Sequence, residues 1–319
     1  MITVVAPDGV PEVRAGDDLA ALLLGALDEP LADGDVVVVT SKVVSKAEGR
    51  VAQGDREQWI DAETERTVAV RGRTRIVRNR LGLTMAAAGV DASNVPNGSV
   101  VLLPLDPDVS ARTLRAAVRE RGGANVGVIV TDTAGRTWRE GQTDLAIGAA
   151  GVVVLESYAG RVDEHGNELA VTAPALADEI ASAAELAQGK LAGRPFAVLR
   201  GRPDLVLPAG EDGPGAAVLV RAEGADLFGY GAREAVVRAV AAAAGDQVPF
   251  GSVATVDEMV DAFGRAGVPA VAAEGVVRCP ADRAAVAAVL AFAHGWTVEP
   301  EAADGADPRT DLRIRPMTP

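Results

Sequence analysis

Val126-Gly127-Val128-Ile129-Val130-Thr131-Asp132-Thr133-Ala134-Gly135-Arg136 decides how this chain is read. Residues 126–130 are apolar without alternation, the pattern of a strand buried on both faces. The run then stops, and residues 131–136 read as a loop that presents a hydroxyl, a carboxylate and a second hydroxyl. A second run, residues 35–39, has the same character. It ends in Thr40-Ser41-Lys42-Val43-Val44-Ser45-Lys46-Ala47-Glu48-Gly49-Arg50, which reads as a polar turn. A third stretch, Ala86-Ala87-Ala88-Gly89-Val90-Asp91-Ala92-Ser93-Asn94, is a run of small residues that reads as a strand end. It closes on a glycine and then offers a carboxylate, a hydroxyl and an amide.

Working outward, residues 18–27 carry leucine and alanine at helical spacing behind Asp17 as the cap. Residues 64–80, rich in arginine and β-branched side chains, read as exposed paired strands. Residues 99–103, 152–155 and 196–199 read as strands. A helix to about residue 121 takes Ser110 as its cap, and residues 174–188 form another. Strands alternating with helices give an α/β class. Beyond Tyr230 the composition shifts. Residues 232–244, 256–266 and 281–294 read as alanine-rich helices, with one strand at 270–278. The Asp/Pro-rich tail from Pro300 reads as loose.

The chain has 319 residues, 48% of them hydrophobic but only 3% aromatic, so its core is built from Ala, Val and Leu. A formal net charge of −14 argues against non-specific nucleic-acid binding, though not against a nucleotide held by a local basic pocket. One cysteine, Cys279, leaves no internal disulfide or cysteine zinc site and fits a cytoplasmic protein. No secretory leader or membrane-spanning apolar run is read.

Asp91 and Asp132 are the candidate metal ligands, with Thr133 and Ser93 as hydroxyl donors. Hard oxygens delivered by two separate segments suit Mg²⁺ or Mn²⁺ on a nucleotide. Both aspartates also suit turn or capping roles, and that reading stays open. Lys42, Lys46 and Ser41 suit phosphate contacts or a solvated turn. Asn94 suits a phosphate or ribose. Arg136 and Arg139 flank Trp138, either as anion binders or as a basic face around a half-buried tryptophan. Asp106 and Asp108 read as caps, His165 as a turn residue and His294 as a helix C-terminal partner. Gly189-Lys190 lacks the rest of a P-loop, and Gly229-Tyr230-Gly231 lacks the third glycine of a dinucleotide fingerprint.

In order along the chain, Ser45-Lys46-Ala47-Glu48-Gly49-Arg50, Ala88-Gly89-Val90-Asp91-Ala92-Ser93-Asn94, Leu103-Pro104-Leu105-Asp106-Pro107-Asp108 and Thr131-Asp132-Thr133-Ala134-Gly135-Arg136 resemble the coenzyme F420-0:L-glutamate ligase (γ-glutamyl ligase) family. Asp144-Leu145-Ala146-Ile147-Gly148 and residues 171–180 extend the match. The resemblance covers residues 1–235 and implies a mixed-sheet, two-lobed ligase domain there. Residues 236–319 form a small α-rich appendage. The activity it implies is GTP-dependent ligation of L-glutamate to the coenzyme F420 precursor. GTP phosphorylates the precursor's carboxylate, and the glutamate amine displaces phosphate to give a γ-glutamyl amide.

In that family Asp91, Asp132 and Lys46 would carry catalysis. Two divalent ions, Mg²⁺ or Mn²⁺, would sit on Asp91 and Asp132 and on Thr133, with K⁺ as a further candidate ion. Val10, Pro11, Glu12, Val13, Ser41, Lys46, Asn94 and Gln188 would contact GTP. A homodimer is expected, and no nucleic acid or membrane partner. Two departures stand out. The stretch from Arg50 to Ala86 is shorter than in many archaeal relatives and reads as lacking a helix. Residues 236–319 are too short for the flavin-binding domain of bifunctional actinobacterial relatives. A metal and nucleotide sensor using the same pocket is the alternative function, and the appendage is read alternatively as a protein-interaction module.

Overall fold

The computed structural model describes residues 1–299 and 311–317. Along the chain run β1 (Thr3–Val5), α1 (Leu19–Ala26), β2 (Val36–Thr40), α2 (Ser41–Ala47), β3 (Val51–Gln53), α3 (Arg56–Glu63), β4 (Thr64–Arg71), β5 (Thr74–Asn79) and β6 (Thr84–Ala86). Then come β7 (Ser99–Val101), α4 (Pro107–Gly122), β8 (Gly127–Gly135), β9 (Gln142–Ala150), β10 (Arg161–Val162), β11 (Glu168–Leu169), α5 (Leu176–Gln188) and β12 (Phe196–Arg200). The last elements are α6 (Ala232–Ala241), α7 (Val256–Arg265), β13 (Val271–Ala273), β14 (Val276–Pro280), α8 (Ala284–Ala293), β15 (Trp296–Val298) and β16 (Asp311–Pro316). The class is α/β. Two units divide the chain: Met1–Arg66 with Ile76–Val220, and Thr67–Arg75 with Arg221–Pro319.

The first unit is built on a five-stranded mixed sheet in the order β1-β12-β2-β8-β9. Four consecutive valines make β2, and all are fully buried, because α1 and α4 cover one face of the sheet and α5 the other. β2 and β8 run parallel, Val36 opposite Gly127 through Thr40 opposite Thr131, while the other pairings are antiparallel. The C-terminal ends of β2 and β8 therefore lie side by side. That is where open α/β sheets place ligands.

Beyond Thr131, β8 pairs with β9 alone, and the register slips between Val130 and Thr131. The slip is a bulge of the kind found beside active sites. Residues 131–135 are thus strand, not the loop read from sequence. The cross-strand partner, β9, is long enough to continue the ladder after β2 has stopped.

Asp18, not Asp17, caps α1, accepting from the Ala21 amide at 3.0 Å. Asp17 instead accepts from the Arg14 amide. Residues 41–47 are helix α2 rather than a turn: Val43 and Val44 bury against the sheet, and that packing outweighs the weak helix propensity of the stretch. Asp106 caps α4 ahead of Pro107, while Ser110 lies inside the helix and donates to Glu48. Asp108 is no cap: it accepts from the Ala149 and Ala216 amides at 2.8 and 2.7 Å, fastening α4 to β9 and to the segment at 216. At Gly148 a Cβ would lie 2.3 Å from the Pro107 carbonyl oxygen, so only glycine lets α4 approach this closely. Residues 152–155 form no strand; Val152 makes an isolated bridge to Val206. Between Arg50 and Ala86 there is a helix, α3, whose N-cap Asp55 accepts from the Glu57 amide.

In the second unit, α6, α7 and α8 follow the three alanine-rich stretches, and a four-stranded sheet has the order β13-β14-β16-β15. The single strand read at 270–278 is a hairpin of β13 and β14. A capping box, Thr255 with Glu258, opens α7. Met259, Phe263, Val277, Trp296 and Ile314 are buried together. The tail reading is corrected for residues 311–316. Leu312 and Ile314 alternate with arginines at the strand period, and β16 pairs with β14 and β15. Residues 300–310 and 318–319 of that tail lie outside the described residues. No helix among the described residues is long and apolar enough to cross a membrane.

Candidate active site

A cleft of about 730 Å³ opens at the C-terminal ends of β2 and β8. Every residue that the resemblance assigns to the site lines it: Val10, Pro11, Glu12, Val13, Ser41, Lys46, Asp91, Asn94, Asp132, Thr133 and Gln188; Arg136 and Arg139 do not. Their separation along the chain is closed by the β2–β8 register. With Thr40 opposite Thr131, the next residues meet, and Ser41 Oγ donates to Asp132 Oδ1 at 3.0 Å.

Asp91 arrives by a different route. β6 ends at Ala86, and Ala87, Ala88 and Gly89 all take left-handed φ, at 53°, 55° and 79°. Two alanines in this region store strain of about 1–3 kcal/mol each. Gly89 is forced: its φ is positive, and a Cβ would also lie 2.7 Å from Leu103 Cδ1. The turn is held by buried Asn79, which donates to the Ala88 carbonyl, and by Arg56, which donates to that of Val90. Asp91 then exchanges backbone hydrogen bonds with Val101 at 3.0 and 2.7 Å. The small-residue run is therefore a turn that aims a carboxylate, not a strand end.

The two aspartates differ in state. Burial works to raise the Asp91 carboxyl, but the Lys42 ammonium at 2.6 Å and the Ser93 amide and hydroxyl outweigh it and hold the group below its usual range. Burial pushes Asp132 the other way, up to about 6, and the nearby Asp144 and Asp91 charges add to the rise against the Ser41 hydrogen bond. Among the described residues no lysine or arginine pairs with Asp132.

Thr133 donates to Asp144 Oδ1 at 2.7 Å and accepts from Lys190 Nζ at 2.9 Å. Because side chains alternate along a strand, Thr133 leaves β8 on the face opposite Asp132. Lys46, buried, donates to Glu12 at 2.5 Å and to the Asn94 carbonyl at 2.8 Å, so it ties the N-terminal segment to the Asp91 turn. Gln188 is 2% exposed, and among the described residues neither polar atom of its side chain has a hydrogen-bond partner.

These residues fit a hard divalent cation in part. A buried carboxylate without a basic partner, a second carboxylate and a hydroxyl are oxygen donors of the kind Mg²⁺ and Mn²⁺ take. Among the described residues no three His, Cys, Asp or Glu side chains form a ready ligand set. The protein would thus supply part of a coordination shell and leave the rest to water or phosphate oxygens, as Mg²⁺ sites do.

Sequence reasoning missed Asp144, Arg56 and Glu185, all of which line the cleft. Asp144 was hidden because only the strand register sets it opposite Thr133. Arg56 was lost with α3, although Asp55 before Arg56-Glu57-Gln58-Trp59 carried an N-cap signal. Lys42 is an Asp91 partner rather than a solvated residue. Trp138 is exposed, not half-buried, and Arg136 binds the Glu140 carbonyl. His165 sits in a turn held by Asp163, and His294 caps α8 with Nδ1 2.7 Å from the Leu290 carbonyl.

A family model described as F420-0:gamma-glutamyl ligase matches residues 9–59 and 58–201. The chain is 42% identical over 240 residues to the coenzyme F420:L-glutamate ligase of Methanopyrus kandleri, covering 68% of this chain and 93% of that protein. It is 40% identical over 216 residues to the protein of the same name from Archaeoglobus fulgidus, at 61% and 85% coverage. A third, from Methanothermobacter thermautotrophicus, is 35% identical over 226 residues, at 63% and 90% coverage. The matched residues contain both parallel strand ends, the left-handed turn and α5, which together make the cleft. The chain belongs to the F420-0:gamma-glutamyl ligase family.

Proposed function

We propose that this chain ligates L-glutamate to the coenzyme F420 precursor at the expense of GTP. The observation that carries the reading is the convergence of Asp91, Asp132 and Thr133 with Ser41, Lys46, Asn94, Gln188 and residues 10–13 on one cleft. The names of the relatives supply the substrates. In the cleft Lys42, Lys46, Arg56, Lys190 and Arg194 stand among Glu12, Asp91, Asp132, Asp144 and Glu185, so donors suited to phosphate oxygens lie beside carboxylates suited to divalent ions.

The chemistry asks the protein for alignment and charge neutralisation more than for a covalent group. A carboxylate oxygen of the precursor attacks the γ-phosphorus of GTP, the bond to the β-phosphate oxygen breaks, and GDP leaves. The glutamate amine, having lost a proton, attacks the acyl carbon. The carbon–oxygen bond to phosphate breaks, and an amide and inorganic phosphate result. Lys46, fixed between Glu12 and Asn94, orients the nucleotide, and Ser41 and Asn94 contact its phosphates or ribose. Asp91 and Asp132 would hold one divalent ion and Thr133 a second; bound there, the ions neutralise charge developing on the transferred phosphoryl group. Residues 1–235 are taken as the ligase domain, acting as a homodimer, with K⁺ a further ion to test.

The test is mass spectrometry of products from purified protein with GTP, Mn²⁺, L-glutamate and the precursor. A glutamyl adduct and stoichiometric GDP are expected. GTP binding with no amide formed would favour the sensor instead.

A further inference from the structure

Asp144 is 2% exposed, and its carboxylate stands between two hydroxyls in the cleft wall. It lies directly opposite Thr133 in the β8–β9 ladder. Oδ1 accepts from Thr133 Oγ1 at 2.7 Å and Oδ2 from Thr131 Oγ1 at 3.1 Å. Ser182 on α5 donates to the Asp144 carbonyl at 3.1 Å, so backbone and carboxylate are both fixed.

In both bonds the threonine hydroxyl donates and the carboxylate oxygen accepts. Both threonine protons therefore point at Asp144, and the lone pairs of Thr133 Oγ1 face away from it. Lys190 Nζ, at 2.9 Å, occupies that outward direction as a donor. No basic side chain pairs with Asp144 among the described residues. A buried carboxylate left without a cation costs stability, and its two hydroxyl bonds alone do not offset that cost.

We propose that Asp144 is a positioning residue that turns Thr133 into a fixed acceptor for a cation in the cleft. This rests on the reading of Thr133 as a metal-side residue given above. An asparagine at 144 can donate through Nδ2. Thr133 would then accept from it and swing its own proton toward the cleft, presenting the wrong end of the hydroxyl dipole to a cation.

The test titrates Mn²⁺ into the full-length protein with a non-hydrolysable GTP analogue, read by electron paramagnetic resonance. Wild-type protein that binds no Mn²⁺ would overturn the metal reading and this inference with it. Given wild-type binding, Asp144→Asn and Thr133→Val should each weaken Mn²⁺ by about tenfold or more, the range for residues that orient metal ligands. The double variant should be no weaker than either single one, and Thr133→Ser should bind like wild type. Unchanged binding in Asp144→Asn, or additive losses in the double variant, would overturn the inference while leaving the metal reading intact. Should Asp144→Asn fail to fold, equal binding by Thr133→Ser and Thr133→Val would overturn it as well.

Discussion

Two buried polar centres in the first unit are built to opposite rules. Arg115, 5% exposed, spends its guanidinium completely: on the Val126, Glu211, Leu207 and Pro208 carbonyls, on Asn125, and on Asp212 at 2.7 Å. The cleft does the reverse. Among the described residues, buried Asp132 has no basic partner and the buried side-chain amide of Gln188 has no hydrogen-bond partner. A satisfied buried charge fastens chain segments together. Unsatisfied groups cost stability, and a cleft retains them for a ligand that completes them.

That contrast can be broken at several points. Arg115→Ala should be the most damaging to the fold, by about 3–5 kcal/mol, because it orphans buried carbonyls and strips Asp212 of its partner. Denaturant unfolding measures it, and ligation per folded molecule should be retained. Asp132→Asn should lower ligation by roughly 10²–10³-fold, the scale of losing one electrostatic contact to the transition state. The fold should remain, and near-normal turnover would sink the assignment.

The same variant tests a pH effect. A carboxyl raised from 3.8 to about 6 keeps its proton in the native state after the unfolded state has lost it. Its contribution to stability therefore falls as pH rises from about 4 to about 6, and the full penalty, up to about 3 kcal/mol, is present above that. Metal-free Asp132→Asn should thus gain on wild type between pH 4.5 and 7, compared by urea unfolding; parallel pH profiles would refute this. The smallest effect is Gln188→Met, which removes two unsatisfied buried atoms at similar shape. It should stabilise by about 1–2 kcal/mol while raising KM for GTP, and a loss of stability would show that Gln188 is satisfied after all.

Much of the site was legible one segment at a time. The unbroken valines of β2 and the apolar run of β8 declared buried strands, and residue type alone nominated Asp91 and Asp132. Less legible was anything decided by a partner strand. Residues 131–135 looked like a loop because their polarity hides that β9 extends beside them. Residues 41–47 looked like a turn because only burial of Val43 and Val44 makes them a helix.

The sequence by itself determined the α/β class, the family through ordered motifs, and which side chains are candidates for metal and phosphate contacts. Tertiary structure alone decided that these side chains share one cleft. Ser41 and Asp132 are 91 positions apart, and what joins them is the parallel register that sets Thr40 against Thr131. Only structure revealed Asp144 behind Thr133 and the left-handed turn that aims Asp91. The reason is physical: strand pairing is non-local, so the neighbour that fixes a side chain's surroundings leaves no trace in its own stretch of sequence.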